Sequence, residues 1–276
     1  MPILRLPQPY DFVLSTERFR VFGLDRANVW RDGGLHRVVD GYEARIEAVP
    51  GGVSAEPLRR RDEPVVRRLL GAHLDLASFT DFAQTDPVLS ALTSRLAGLR
   101  PPLAPDPFEA LVGSITAQQV SLQSAVAVRS RLIERFGDRH EHAWSFPTRE
   151  RIARAHEDEL AALGFSRRKA QYVTGLARSD LDFEELRTLP DDEVKLRIVS
   201  LRGFGDWTAD WFLARYLARP RAWPAGDLAL RKAVSCYYGD GRKLTTDEVR
   251  MLGPRFEPFQ NLTAHYLLTG LRTEPA

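Results

Sequence analysis

One carboxylate, two glycines and two indoles are spaced for chemistry in LRGFGDWTADWFLARYLARPRAWPAGDLALRKAV, Leu201 to Val234. Gly203 and Gly205 stand a step apart, between one helical run ending near Leu201 and another starting near Asp206. Glycine reaches positive φ there without a Cβ penalty. A glycine hairpin that opens a helix exposes amides beside the positive end of the helix dipole, a seat for phosphate that reads no sequence. An ordinary helix-to-helix connection with two convenient glycines has the same spacing, so spacing alone leaves both readings open.

Asp227 follows a loop holding Pro220, Pro224 and Gly226, and precedes the helical pattern Leu228, Leu230, Val234, Tyr237. An aspartate in that place is a helix N-cap. Bonded to amides at a positive dipole, it also stays ionised at neutral pH and can stabilise positive charge. The two roles are compatible. Trp207 and Trp211 lie one helical turn apart, on the side away from the core stripe Ala209, Phe212, Leu213, Tyr216, Leu217. Trp211 is expected to pack against a second layer. Trp207, beside the hairpin, either packs or lines a cavity.

These groups need a scaffold, and the rest of the chain supplies one. The 276 residues are 43% hydrophobic and 28% charged, which excludes a disordered chain. A net charge of +2 allows an anionic partner without arguing for one. The single cysteine, Cys236, excludes an intramolecular disulfide framework and a four-cysteine zinc or iron–sulfur site. It fits a reducing compartment, and among Val234, Tyr237 and Tyr238 it is expected to be buried and inert. The N-terminus MPILRLPQPYDF has no long apolar core, and no stretch approaches ~18 apolar residues. A cytoplasmic protein is the expectation.

The first sixty residues read as an antiparallel meander, with turns at Asp32-Gly33-Gly34 and Asp40-Gly41. From about Glu63 the period becomes helical. The proline-punctuated connector Leu99–Pro105 marks a candidate boundary. After it, Asp106, Pro107 and Glu109 open a helix with a capping-box arrangement. Ser121 caps the next helix, Gly137 ends it, and Asp191 caps the helix before the hairpin. The expected fold is α+β: a small antiparallel β-sheet domain with helices over 1–98, then a mostly α-helical region over 99–276, with helix–hairpin–helix at about 192–218.

Other candidates are weaker. Arg167-Arg168-Lys169 oppose the dipole of the helix after Ser166; a solvated basic turn and a phosphate contact both fit. Arg59-Arg60-Arg61 reads as a solvated loop. His140 and His142 with Glu141 resemble half a metal site without a third ligand, and read as surface histidines. No side-chain metal site is expected. There is no Walker motif, no GxSxG and no HExxH.

Leu201–Ala209, followed 18 residues later by Asp227, resembles the helix–hairpin–helix DNA glycosylase superfamily. PFEALVGSITAQQVS resembles the segment that opens the helical domain in its 3-methyladenine DNA glycosylase II (AlkA) branch. LGFSRRKAQYVTGLA resembles a later helix, and PQPYDF the opening strand. The resemblance touches nearly the whole chain and is weak over Val21–Pro87.

The resemblance implies that Asp227 is the catalytic carboxylate and that the hairpin of Gly203 and Gly205, with Arg202 and Phe204, holds DNA phosphates. It also implies a monovalent cation, sodium or potassium, on hairpin carbonyls near Leu201 and Gly203, and no other cofactor. Trp207 stands where bifunctional members carry a catalytic lysine, which implies a pocket wall and no strand cleavage. Gln119 matches the residue that wedges into the duplex; the position is apolar in a well-known member. Phe12 and Phe19 fall near positions of pocket aromatics. The implied activity is hydrolytic excision of flipped alkylated purines from duplex DNA by a monomer. A non-catalytic DNA-binding module that kept the hairpin is the alternative.

Overall fold

A computed structural model describes residues 3–273. Met1 and Pro2, the start of the N-terminal stretch read above, lie outside them. Five antiparallel strands form one sheet: β1 (Ile3–Arg5), β2 (Val29–Arg31), β3 (Gly34–Val39), β4 (Tyr42–Val49) and β5 (Gly52–Glu56), in the order β1-β5-β4-β3-β2. The expected meander is there. Asp32-Gly33 and Asp40-Gly41 are its two-residue turns, with φ of +49° and +78°, then +45° and +79°. Positive φ at both central residues makes them type I′, the turn whose twist matches that of paired strands.

The start of the chain differs from the expectation. PQPYDF is not the opening strand; Ile3–Arg5 is, paired to the edge of β5. Asp11 caps a short helix α1 (Phe12–Ser15) by accepting from Leu14 N at 2.8 Å, and α2 (Arg18–Val21) follows. After the sheet come α3 (Glu63–Leu69), α4 (Leu76–Ala83) and α5 (Pro87–Arg95).

The helical region runs α6 (Pro107–Ala117), α7 (Leu122–Phe136), α8 (Arg149–Arg154), α9 (Glu157–Ala162), α10 (Arg167–Arg178), α11 (Phe183–Thr188), α12 (Asp191–Val199) and α13 (Asp206–Arg215). It closes with α14 (Leu228–Tyr238), α15 (Thr246–Leu252) and α16 (Gln260–Arg272). Together these elements give the expected α+β architecture. No helix of the described residues is long and apolar enough to cross a membrane.

Three clusters of buried side chains hold the chain together. One lies between the sheet and α3, around Leu35, Ile46, Val53 and Leu69. The second spans α6 to α13, around Leu111, Ile115, Leu132 and Phe212. The third joins α4 and α5 to α14 and α16, through Phe79, Leu89, Leu230 and Leu267. Thus α4 and α5, placed with the sheet by sequence, share a core with the C-terminal helices.

Local rules explain most helix starts. Asp106 accepts from Glu109 N at 2.8 Å with Pro107 next to it, Ser121 accepts from Ser124 N, and Gly137 ends α7. Two expectations need correction. Pro190, not Asp191, is the N-cap of α12; Asp191 sits in its first turn, where a carboxylate suits the dipole. Glu109 does not fold back to complete a capping box. Its buried carboxylate takes both guanidinium nitrogens of Arg37, on β3, and a third bond from Arg129, on α7. Arg129 also pairs with Asp25. This network ties the sheet to the helical body.

Candidate active site

The hairpin between α12 and α13 is built on one glycine, not two. Gly203 has φ +92°, and a Cβ there would lie 2.2–2.5 Å from ring atoms of Tyr172 on α10. Conformation and close approach both demand glycine. Gly205 has φ −136° and open space where a Cβ would go, so it needs no glycine for folding. Leu201 O accepts from Phe204 N at 3.1 Å, which closes the turn. Gln118, at the end of α6, donates from Nε2 to Gly203 O at 3.0 Å. Lys169 Nζ donates to Thr116 O at 3.0 Å, so it braces α6 against α10 rather than extending into solvent. Burial lowers its pKa.

Arg202 and Gly205 are exposed on this turn. Phe204 is not: its side chain is buried in the helical core, where it helps to position the hairpin. Gln119 is exposed, with φ +55°, in the tight turn before α7, beside the exposed Val120 and Leu122.

Asp227 sits 20 residues beyond Trp207 and is gripped by three N–H donors. Its Oδ1 accepts from Leu230 N at 2.9 Å, the N-cap bond of α14. Its Oδ2 accepts from Trp207 Nε1 at 2.8 Å and from Trp211 Nε1 at 3.0 Å. Residues four apart share a helix face, so both indoles reach one oxygen. Trp211 is buried as expected, but it also bonds the carboxylate, which the sequence reading missed. The i, i+4 spacing carried that signal.

Basic side chains gather behind the Trp211 indole. One turn beyond Trp211, the Arg215 guanidinium stacks over the Trp211 ring at 4.0 Å. His265, on α16, lies 5.8 Å from the same ring, centroid to centroid. Burial, then repulsion from Arg18, lowers the Arg215 pKa well below its ordinary value, while Asp227 acts to raise it. Burial, then Arg215, also holds His265 well below the usual imidazole range, so it is neutral. Burial and Arg272 push Arg18, on α2, down to about 10. Sequence reasoning named none of these four; Arg215 alone was legible, as the next i+4 step after Trp211.

Most of the other candidates have partners of their own. Phe12 is buried and stacks on Trp30 at 5.2 Å in the core beneath the sheet, and Phe19 is half-buried against that cluster. Cys236 is exposed, not buried, because it projects from the outer face of α14. Arg59 and Arg61 pair with Asp40. His142 is not a free surface histidine, since Glu43 of the sheet bonds its ring.

A hairpin braced from below, followed by a capped carboxylate facing tryptophans, defines a helix–hairpin–helix base-excision protein. The family model described as HhH-GPD superfamily base excision DNA repair protein matches residues 112–255. The chain belongs to that superfamily. A "DNA-3-methyladenine glycosylase" of Bacillus subtilis is 32% identical over 70% of this chain and 66% of its own length. The chain therefore spans just under two thirds of that relative. "DNA-3-methyladenine glycosylase 2" of Escherichia coli is 29% identical over 71% of this chain and 74% of its own length. A solved 3-methyladenine DNA-glycosylase from Archaeoglobus fulgidus superposes with a TM-score of 0.90 at 27% identity, covering 99% of this chain and 98% of that one.

Proposed function

We propose that this chain is a monofunctional DNA glycosylase that flips alkylated purines out of duplex DNA and hydrolyses their N-glycosyl bond. The observation that carries the reading is Asp227, a carboxylate held by three N–H donors next to a glycine hairpin. Relatives named DNA-3-methyladenine glycosylase support the substrate class.

The chemistry follows from the geometry. A base within the duplex is out of reach, so the nucleotide must be extruded at a cost of a few kcal/mol. Exposed amides of the hairpin and Arg202 hold phosphate, and Gln119 on its strained turn fills the gap left in the duplex. Alkylation makes the purine cationic, hence a good leaving group that needs little acid catalysis. The indole of Trp207 attracts such a cation by roughly 0.5–2 kcal/mol. As the bond from C1′ to the base nitrogen lengthens, positive charge grows on the sugar and Asp227 stabilises it. A carboxylate has about four acceptor sites. Three are taken here, which leaves one for the sugar or for the attacking water. Water adds hydroxyl to C1′ and its proton ends on the departing base or in solvent.

Lysine chemistry has no place in this reading. The chain's lysines are Lys169, Lys195, Lys232 and Lys243. Lys169 braces α6, Lys195 pairs with Asp210 at 2.7 Å, and the other two are exposed. The reading therefore assigns no lysine as a Schiff-base donor and expects no strand cleavage.

The hairpin carbonyls of Leu201 and Gly203 suit a monovalent cation, being neutral oxygens that each accept one N–H bond and keep a second lone pair. A cation bound there would add attraction for phosphate. The test is incubation of the wild-type chain with duplex carrying 3-methyladenine, 7-methylguanine or 1,N6-ethenoadenine, following free base and strand length together. Base release that leaves an intact abasic strand supports the reading. Tight, salt-sensitive binding without release points to a binding module and contradicts it.

A further inference from the structure

Three chemistry-bearing side chains converge away from Asp227, across the seam between sheet and helical body. His36 lies on β3, Glu43 on β4, and His142 on the short loop between α7 and α8. His36 Nδ1 is 2.8 Å from Glu43 Oε1, and His142 Nδ1 is 3.1 Å from the same oxygen. The two rings lie 4.5 Å apart, centroid to centroid. One ligand atom from each residue can be chosen so that all three fall within 4.8 Å of one another. His36 is buried, and the other two are half-buried.

The carboxylate is set in place by the backbone. Glu43 Oε2 accepts from His142 N at 2.8 Å and from Ala143 N at 3.0 Å, which leaves Oε1 facing both imidazoles. An open cavity of about 350 Å³ adjoins the cluster. Its wall carries three further carboxylates, Asp32, Glu56 and Glu141, against one guanidinium, Arg45.

We propose that His36, Glu43 and His142 form a site for one divalent transition-metal ion of the zinc type, which clasps the sheet to the helical body. This departs from the sequence expectation that no side chains hold metal, because two of the ligands come from strands about a hundred residues upstream. Two imidazoles and one carboxylate leave a fourth tetrahedral position for water. With zinc bonds of about 2.0–2.1 Å, the ligand-to-ligand edge of a tetrahedron is about 3.3 Å. The observed 2.8 and 3.1 Å edges lie a few tenths of an ångström inside that.

On binding, each imidazole gives its Nδ1 lone pair to the ion and carries its proton on Nε2. The carboxylate of Glu141, 3.9 Å from His142 Nε2, stands where an outer partner orients such a ring. The cavity supplies the entry path and room for the water. No residue of the cluster belongs to the Asp227 site, so the proposal is independent of the glycosylase reading.

The test uses the untagged full chain, stripped with chelator and titrated with Co²⁺ and Zn²⁺ at neutral pH. The expected result is one ion per chain, the visible absorption of tetrahedral Co²⁺, and a Tm rise of roughly 5–10 °C at about a hundred times the Kd. His142→Ala and Glu43→Gln should each weaken binding at least tenfold, while Asp227→Asn binds as wild type does. His142→Gln, close in size, guards against a misfolded alanine variant. Absence of stoichiometric binding, or equal affinity in wild type and the His142 and Glu43 variants, overturns the proposal.

Discussion

Trp207 Nε1 lies 2.8 Å from Asp227 Oδ2, so the indole proposed to face the flipped base also orients the carboxylate. Trp207→Phe keeps an aromatic face and removes only that donor. Hydrogen bonds to charged groups contribute about 1.5–3 kcal/mol. If the bond matters in the transition state, kcat for base release falls about ten- to a hundredfold with KM little changed. Single-turnover kinetics separate the two. An unchanged kcat would mean that Leu230 N and Trp211 hold Asp227 without help.

The two hairpin glycines should differ sharply. Gly203→Ala drives a Cβ to within 2.5 Å of the Tyr172 ring and strains a φ of +92°, so it distorts the hairpin. We expect DNA affinity to fall more than tenfold and the melting temperature to drop. Gly205→Ala meets nothing within 4 Å and should leave stability within about 0.5 kcal/mol of wild type. Thermal melts with binding isotherms check both. Equal effects at the two positions would contradict the assignment of a single conformational glycine.

The buried network of Asp25, Arg37, Glu109 and Arg129 makes a third prediction. Arg37→Met removes the bidentate partner of Glu109 and leaves that buried carboxylate with Arg129 alone. Removing one member of such a pair costs about 3–5 kcal/mol. Denaturant unfolding should show that loss, while base release per folded molecule is retained.

Acid should weaken the fold in two stages. His265 is held neutral, its folded pKa well below the unfolded value of about 6.5. The unfolded chain therefore binds the extra proton first, and stability falls as pH drops below about 6.5. Burial acts to raise the Asp25 pKa, but Arg129, Asn28 and Ala27 N lower it overall. Its stabilisation is full above the unfolded value of about 3.9 and is lost below it. Unfolding free energy against pH should show both declines, and His265→Gln should remove only the upper one.

The site was legible where the chemistry is local. Turn residues at fixed offsets marked the I′ turns, the hairpin and the cap at Asp227, because each is decided within a few residues. Periodicity found the inward stripe of α13 but not what opposes its other face. That is why the Trp211 bond to Asp227, and the approach of Arg18 and His265, were not foreseen. The surroundings of Phe12 and Cys236 were hidden for the same reason. Pattern alone cannot say that Trp30 covers one ring, or that nothing described covers the outer face of α14. Glu109 fitted a capping box locally, yet Arg37 from the sheet outcompeted that bond. Glu43 and His142 are 99 residues apart, a distance no spacing rule spans.

Asp227 is the centre of the account, and Asp227→Asn tests it most directly. Asparagine keeps the size of the side chain and its cap oxygen while removing the charge. Wild type and variant should be compared on lesion-bearing duplex, with affinity, free base and strand length measured together. The account predicts nearly unchanged DNA affinity, base release reduced by several orders of magnitude, and intact strands. Base release by the variant at the wild-type rate would contradict it.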